Sequence, residues 1–136
     1  MNILYPVFAM AALTFFTGFR LGYLRFTAVR RREIDPRFFR QYKDYDEPDD
    51  LRVISRHFVN LHEAPILFYA ISIIAYITET VSILILTLAW AYVGLRYIHS
   101  YIHLTSNTVI RRFRVFATSQ FVLLALWIVV LLGLVL

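Results

Sequence analysis

Apolar residues fall into four long runs separated by three polar stretches of unequal length. The first run holds Ile3 to Phe19 and fades by about Phe26; the others cover about 51–78, 81–104 and 107–136. A hydrocarbon layer of about 30 Å is crossed by roughly 20 helical residues, so each run is long enough to span once, the first with help from its flanks. The pattern predicts an all-α integral membrane protein, a single four-helix bundle over 1–136 with one substantial loop at 27–50. Pro36 and Pro48 punctuate that loop. Phe38, Phe39, Tyr42 and Tyr45, scattered among its charges, predict a segment lying against lipid headgroups. Asp49 or Asp50 is expected to cap the second helix, Glu79 and Thr80 to form the next turn, and Ser106 or Asn107 to cap the fourth helix.

Within the apolar runs, polar residues recur at helical spacing. In the stretch RVISRHFVNLHEAP, Arg52 to Pro65, a 100° advance per residue brings Arg56, Asn60 and Glu63 within about 60° of one another, with Arg52 one turn earlier. A charged side chain at the centre of a membrane helix costs roughly 2.5 to 3.5 kcal/mol, so such a stripe needs partners, water or a ligand. An Arg56–Glu63 salt bridge that helps the helices pack is the plain structural reading. On the third helix Arg96, His99 and His103 share a face, with Tyr92 one turn before, while Tyr97 and Tyr101 point away. The fourth helix opens with Arg111, Arg112 and Arg114, of which at least two are expected to be ordinary anchors. No metal site is expected: His57 points about 100° from Arg56 and His62 to the far side of its helix, leaving His99 and His103 without a third ligand. Gly18 and Gly22 form a G-x-x-x-G spacing that permits close helix approach.

Composition narrows the class. At 60% hydrophobic and a mean hydropathy of +0.63, the chain is too apolar for an ordinary soluble domain of 136 residues. The net charge of +5 does not mark a nucleic-acid protein, because no basic face with interleaved aromatics lies outside the spans. It follows topology instead. Every Lys and Arg lies toward the first loop or the third turn, so the positive-inside rule predicts a cytoplasmic loop with both termini on the opposite side. The first run is expected to be a retained helix rather than a signal peptide, since its basic residues follow it. Arg56, Asn60, Glu63, Arg96, His99, His103 and Arg112 then share the cytoplasmic half of the bilayer, level enough to line one cavity. With no cysteine, any sulfur chemistry must arrive with a ligand.

These residues resemble the family of membrane-associated proteins in eicosanoid and glutathione metabolism, in its bacterial-type members. The likeness covers nearly the whole chain. The family's R-x-x-x-N-x-x-E signature is met by Arg56, Asn60 and Glu63. A second signature, an arginine followed at three and seven residues by histidine or aromatic positions, is met by Arg96, His99 and His103, and an arginine opening the fourth helix by Arg112 with Phe116. The chain departs from many synthases in having His103 where they carry tyrosine, and Phe116 lacks the hydroxyl of some relatives.

The resemblance implies a homotrimer in the bacterial inner membrane, with glutathione bound as co-substrate between protomers and a lipophilic small molecule or membrane lipid as the second partner. It assigns Arg30 and Arg56 to the glutathione carboxylates, Glu63 to the ammonium, Asn60 to a peptide group, and Arg96, His99 and His103 to the same site. Arg112, with Arg111 as near rival, is the candidate for thiol activation. The implied function is a glutathione-dependent transferase or peroxidase acting on lipophilic electrophiles or lipid hydroperoxides. The alternative is a non-catalytic protein of the same fold that binds lipid or scaffolds a partner. A transporter fits less well, because nothing in the sequence marks inverted repeats or broken helices.

Overall fold

A computed structural model describes residues 2–42 and 47–135. Met1, Lys43, Asp44, Tyr45, Asp46 and Leu136 lie outside the described residues, and with them the expectations placed on Tyr45 in the loop and on Leu136 as a helix end. The described residues form six helices and no strand: α1 Leu4–Arg30, α2 Phe38–Gln41, α3 Asp49–Glu63, α4 Ile66–Ile77, α5 Ile83–Leu104 and α6 Val109–Val135. Four segments are long and apolar enough to cross a membrane: α1, α3 with α4, α5, and α6. Phe8, Phe15, Phe16, Phe19 and Tyr23 on α1 and Phe121, Leu124, Ile128 and Leu131 on α6 face outward. That surface suits hydrocarbon and not water. The chain is an integral membrane four-helix bundle.

Helix α1 runs four residues beyond the fading of its apolar run, and its threonine hydroxyls bond within the helix. Thr17 Oγ1 donates to the Leu13 carbonyl at 2.9 Å and Thr27 Oγ1 to that of Tyr23 at 2.9 Å, so neither needs water. The end is a Schellman closure, with Arg32 N–H on the Val29 carbonyl and Glu33 N–H on that of Ala28. Arg32, at φ 59°, fills the left-handed position that glycine usually takes. The same closure ends α4, where Glu79 has φ 55° and Thr80 N–H reaches the Ala75 carbonyl.

The first loop is more built than an interfacial strap. Phe38 on α2 is buried with Leu21, Ala28, Ile34, Leu51 and Ile54. Arg25 lies over the Phe39 ring at 5.3 Å and donates to the Tyr42 hydroxyl at 3.3 Å. Aromatic burial draws the loop back onto the bundle.

Two caps differ from the sequence expectation. Pro48 holds the position before α3, and Asp49 and Asp50 sit inside its first turn, where their charges favour the helix dipole without capping it. Asn107 has φ 47° and closes the end of α5 through its N–H to the Ile102 carbonyl, while Thr108 directly precedes α6. Ser82 does cap α5, accepting from the Ile85 N–H at 3.3 Å.

The second span is not one helix. Pro65 has no N–H to return to the Leu61 carbonyl, so the helix stops at Glu63 and restarts at Ile66. The expectation of unbroken helices is corrected here. Ala64 N–H still reaches the Asn60 carbonyl, and the Tyr92 hydroxyl donates to the Ala64 carbonyl at 3.4 Å across the break.

Packing divides the interior into three levels. An apolar cluster of Met10, Leu13, Leu61, Phe68, Ile71, Tyr92, Leu123 and Leu126 fills one part, and the Phe38 cluster fills the other. Between them lies a buried polar layer of Thr17, His57, Arg96, His99, Ser100 and His103. Most of its members come from α5, which makes its most extensive contact with α6.

Candidate functional site

Polarity is concentrated where α3, α5 and α6 meet. On α5, Arg96, His99, Ser100 and His103 recur at three- and four-residue spacing and are all buried. On α3, Arg56 is exposed and Asn60 half-buried; on α6, Arg112 and Phe116 are half-buried. A cavity of about 280 Å³ opens between them, lined by Arg56, Asn60, His99, His103, Arg112 and Phe116, with Val109 and Phe113 at its edge.

Behind this cavity stands Arg96. Its Nη2 donates to Asn60 Oδ1, and its Cζ lies 5.6 Å from the Phe116 ring centroid. Nε and Nη1 are buried without a hydrogen-bond partner, as is Nδ1 of His99. Arg112 is steadied by Asn107, whose Oδ1 accepts from its Nη1 at 2.8 Å. Among the described residues no carboxylate forms an ion pair with these cations. Among the described residues the ion pairs are Arg37–Asp35 and Arg52–Asp49, both outside the cavity. A buried guanidinium with two idle nitrogens is costly unless an anion meets it, and its planar donors match a carboxylate.

A model described as the MAPEG family matches residues 3–132. The chain belongs to the MAPEG family. No curated protein and no solved structure matches it. MAPEG proteins include glutathione-dependent transferases and peroxidases as well as non-catalytic members. The MAPEG match takes in the whole of the first three spans, most of the fourth, and every residue that lines the cavity.

Other candidates stand apart from the cavity of this MAPEG chain. Glu63 is exposed at the end of α3 and makes no ion pair with Arg56. Seven residues of helix separate the two by about 10 Å along the axis, so sharing a face does not bring them into contact. The expected salt bridge is thereby corrected. Arg30 is exposed at the end of α1, in a separate groove with Tyr23, Phe26, Thr27 and Arg31. Arg111 is exposed and does not line the cavity, whereas its neighbour Arg112 does.

His57, about 100° around its helix from Arg56 and so outside the candidate site predicted from sequence, lies in the middle of the polar layer. It is fully buried, its Nδ1 is 3.0 Å from His103 Nδ1, and its Nε2 is bonded to Ser100 Oγ. Its ring centroid lies 4.7 Å from that of His103 and 5.8 Å from that of His99. Angular distance from Arg56 was the wrong test. Leu51, Ile54, His57 and Leu61 make the inward stripe of α3, and continuity with those apolar residues is the signal that would have found it. The three histidines cluster without converging on a common point, and among the described residues no three His, Asp or Glu side chains are arranged to hold a metal ion. His103 also borders a second groove of about 310 Å³, which includes Arg20, Asp49, Asp50 and Asn107.

Proposed function

We propose that this MAPEG protein is a glutathione-dependent transferase or peroxidase that acts on lipophilic electrophiles or lipid hydroperoxides dissolved in the bilayer. The observation that carries the reading is the uncompensated cationic cavity, above all the buried Arg96 with Nε and Nη1 unpaired. Glutathione offers two carboxylates, an ammonium, two amides and a thiol, and the residue types around the cavity answer most of these groups. Arg56 takes a carboxylate, Asn60 a peptide group, and His99 and His103 hydrogen-bond along the tripeptide. Arg96 supplies buried positive charge, and Arg112 faces the sulfur in preference to the exposed Arg111.

Glu63 and Arg30, which lie outside the cavity of their own chain, are proposed to complete a neighbour's site in a homotrimer. There Glu63 meets the ammonium and Arg30 the second carboxylate. The assembly sits in the bacterial inner membrane, with the Arg-rich loop cytoplasmic and both termini on the other side.

Magnitudes assign the work. Lowering a thiol pKa from about 8.5 to about 6.5 raises the thiolate fraction at pH 7 roughly 25-fold, and a Brønsted slope near 0.4 to 0.5 takes back about eightfold. Charge at Arg112 therefore supplies only about threefold. Most of the acceleration comes from holding the sulfur against a substrate already concentrated in the lipid.

A second reading, a non-catalytic lipid-binding member, is favoured by the exposed Val109 and Phe113 at the cavity edge. Turnover separates the two. Purified protein in detergent, given glutathione and a generic aromatic electrophile, is expected to form conjugate above the uncatalysed rate. No conjugate above that rate, with either the electrophile or a lipid hydroperoxide, contradicts the enzymatic reading.

A further inference from the structure

We propose that Ser100, His57 and His103 form a neutral hydrogen-bond relay that presents a donor, His103 Nε2–H, to an anion in the cavity. His57 is thereby a positioning residue. The tripeptide as the anion rests on the proposed function; the relay itself rests on the geometry alone.

Both ring nitrogens of His57 are engaged, Nδ1 with His103 Nδ1 at 3.0 Å and Nε2 with Ser100 Oγ. Two imidazole nitrogens facing each other at that distance share one proton, so one ring donates and the other accepts. The tautomers of the two rings are therefore linked. If His57 donates from Nδ1, its Nε2 must accept from the Ser100 hydroxyl, and a neutral His103 then carries its proton on Nε2. If the order is reversed, His103 turns a lone pair toward the cavity. No hydrogen bond within the described residues uses His103 Nε2, and His103 lines both the cavity and the second groove.

The surroundings choose between the two orders once an anion is present. The charged and titratable groups around His103 are Arg56 on α3, Arg96 and His99 on α5 and Arg112 on α6, with Arg20, Asp49 and Asp50 across the second groove. A ligand attracted by three guanidiniums is negatively charged, and a lone pair facing it repels it. In the first order the bonds run head to tail, Ser100 to His57 to His103 to anion, so each polarises the next. The relay thus adds a directed donor to a crowded cationic site without adding a further charge. His57 also ties α3 to α5 behind the cavity, which fixes the plane of the His103 ring.

The chain has four histidines, so nitrogen-15 histidine NMR in detergent resolves few rings. Spectra are compared with saturating formate, a bare carboxylate, and with glutathione, for the native chain, His57→Phe, His57→Asn and Ser100→Ala. The native protein is expected to carry the His103 proton on Nε2 and none on Nδ1 in both solutions. His57→Asn, whose amide N–H stands near the Nδ1 position, preserves that state and holds glutathione affinity within about threefold. His57→Phe loses the state and weakens binding roughly tenfold, and Ser100→Ala falls between. A His103 proton on Nδ1 in the native protein, or a His57→Phe spectrum and affinity equal to native, overturns the relay. If formate orders the relay as stated and glutathione has no effect, the relay stands and the glutathione reading falls. If neither anion does so, both fall.

Discussion

Arg96 is a residue whose burial is expected to oppose stability and whose proposed role is in binding. It is fully buried, and among the described residues its one side-chain hydrogen bond is to Asn60 and no carboxylate pairs with it. Replacing a poorly compensated buried charge with an apolar side chain of similar length commonly stabilises a protein. Arg96→Met is therefore expected to raise the unfolding free energy of the ligand-free protein by about 1 kcal/mol in thermal denaturation. A clear loss of stability would mean that the guanidinium has a structural partner. Arg112 and Glu63 are expected to fail in different ways. Arg112→Ala retains glutathione and loses up to about 100-fold in turnover through misplacement of the sulfur, while Glu63→Ala loses roughly tenfold or more in affinity. Indistinguishable kinetics in the two variants would refute that division. The faces shared by Arg56 and Asn60 on one helix and by Arg96, His99 and His103 on the next were legible in the spacing, whereas Arg112 was set apart from Arg111 and Arg114 by the family likeness. The separation of Glu63 from Arg56 was legible too, in the seven-residue offset between them, but their shared face masks that height.

At the scale of elements, α3 carries two stripes. Arg56 and Asn60 form the cavity edge, and Leu51, Ile54, His57 and Leu61 face inward. A sequence reading that follows charge sees the first stripe and misses the histidine in the second. The hydropathy of residues 51–78 likewise hides the break at Pro65, because apolar content is continuous where the hydrogen-bond ladder is not. The G-x-x-x-G spacing divides in the same way. A Cβ on Gly18 would lie 2.9 Å from Phe58 Cε2, whereas one on Gly22 would meet nothing within 4 Å. Phe58 also packs edge-to-face with His62, ring centroids 4.3 Å apart. Gly18→Ala is expected to cost about 1 kcal/mol and Gly22→Ala to be neutral or slightly stabilising in chemical unfolding of the detergent-solubilised protein. Equal effects would show that the Gly18–Phe58 contact does not hold α1 against α3.

For the whole molecule, two apolar clusters enclose a polar layer, and the outer faces of the helices are apolar. That arrangement makes a membrane protein with a charged interior level, and positive-inside reasoning gives it a direction. The absence of cysteine makes the direction testable with introduced thiols. Glu33→Cys, exposed just beyond α1, is expected to react with an impermeant maleimide only from the cytoplasmic face, and Asn2→Cys only from the opposite face. The reverse pattern would invert the proposed topology. A mass in detergent equal to three chains of 16.0 kDa supports the trimer, and a monomer contradicts it. Four spans and an all-α bundle were readable from hydropathy, since the bilayer fixes length and composition together. The inward fold of Phe38 was not, because an aromatic among charges suits either an interface or a buried corner.

The most direct measurement is calorimetric titration of glutathione into the purified protein in detergent, native chain beside Arg96→Met. The native chain is expected to bind saturably, and the variant at least about tenfold more weakly, a difference of about 1.4 kcal/mol. Absence of binding by the native chain, or equal affinity in the two, contradicts the claim that the buried, incompletely partnered Arg96 helps make this cavity a site for an anionic thiol peptide.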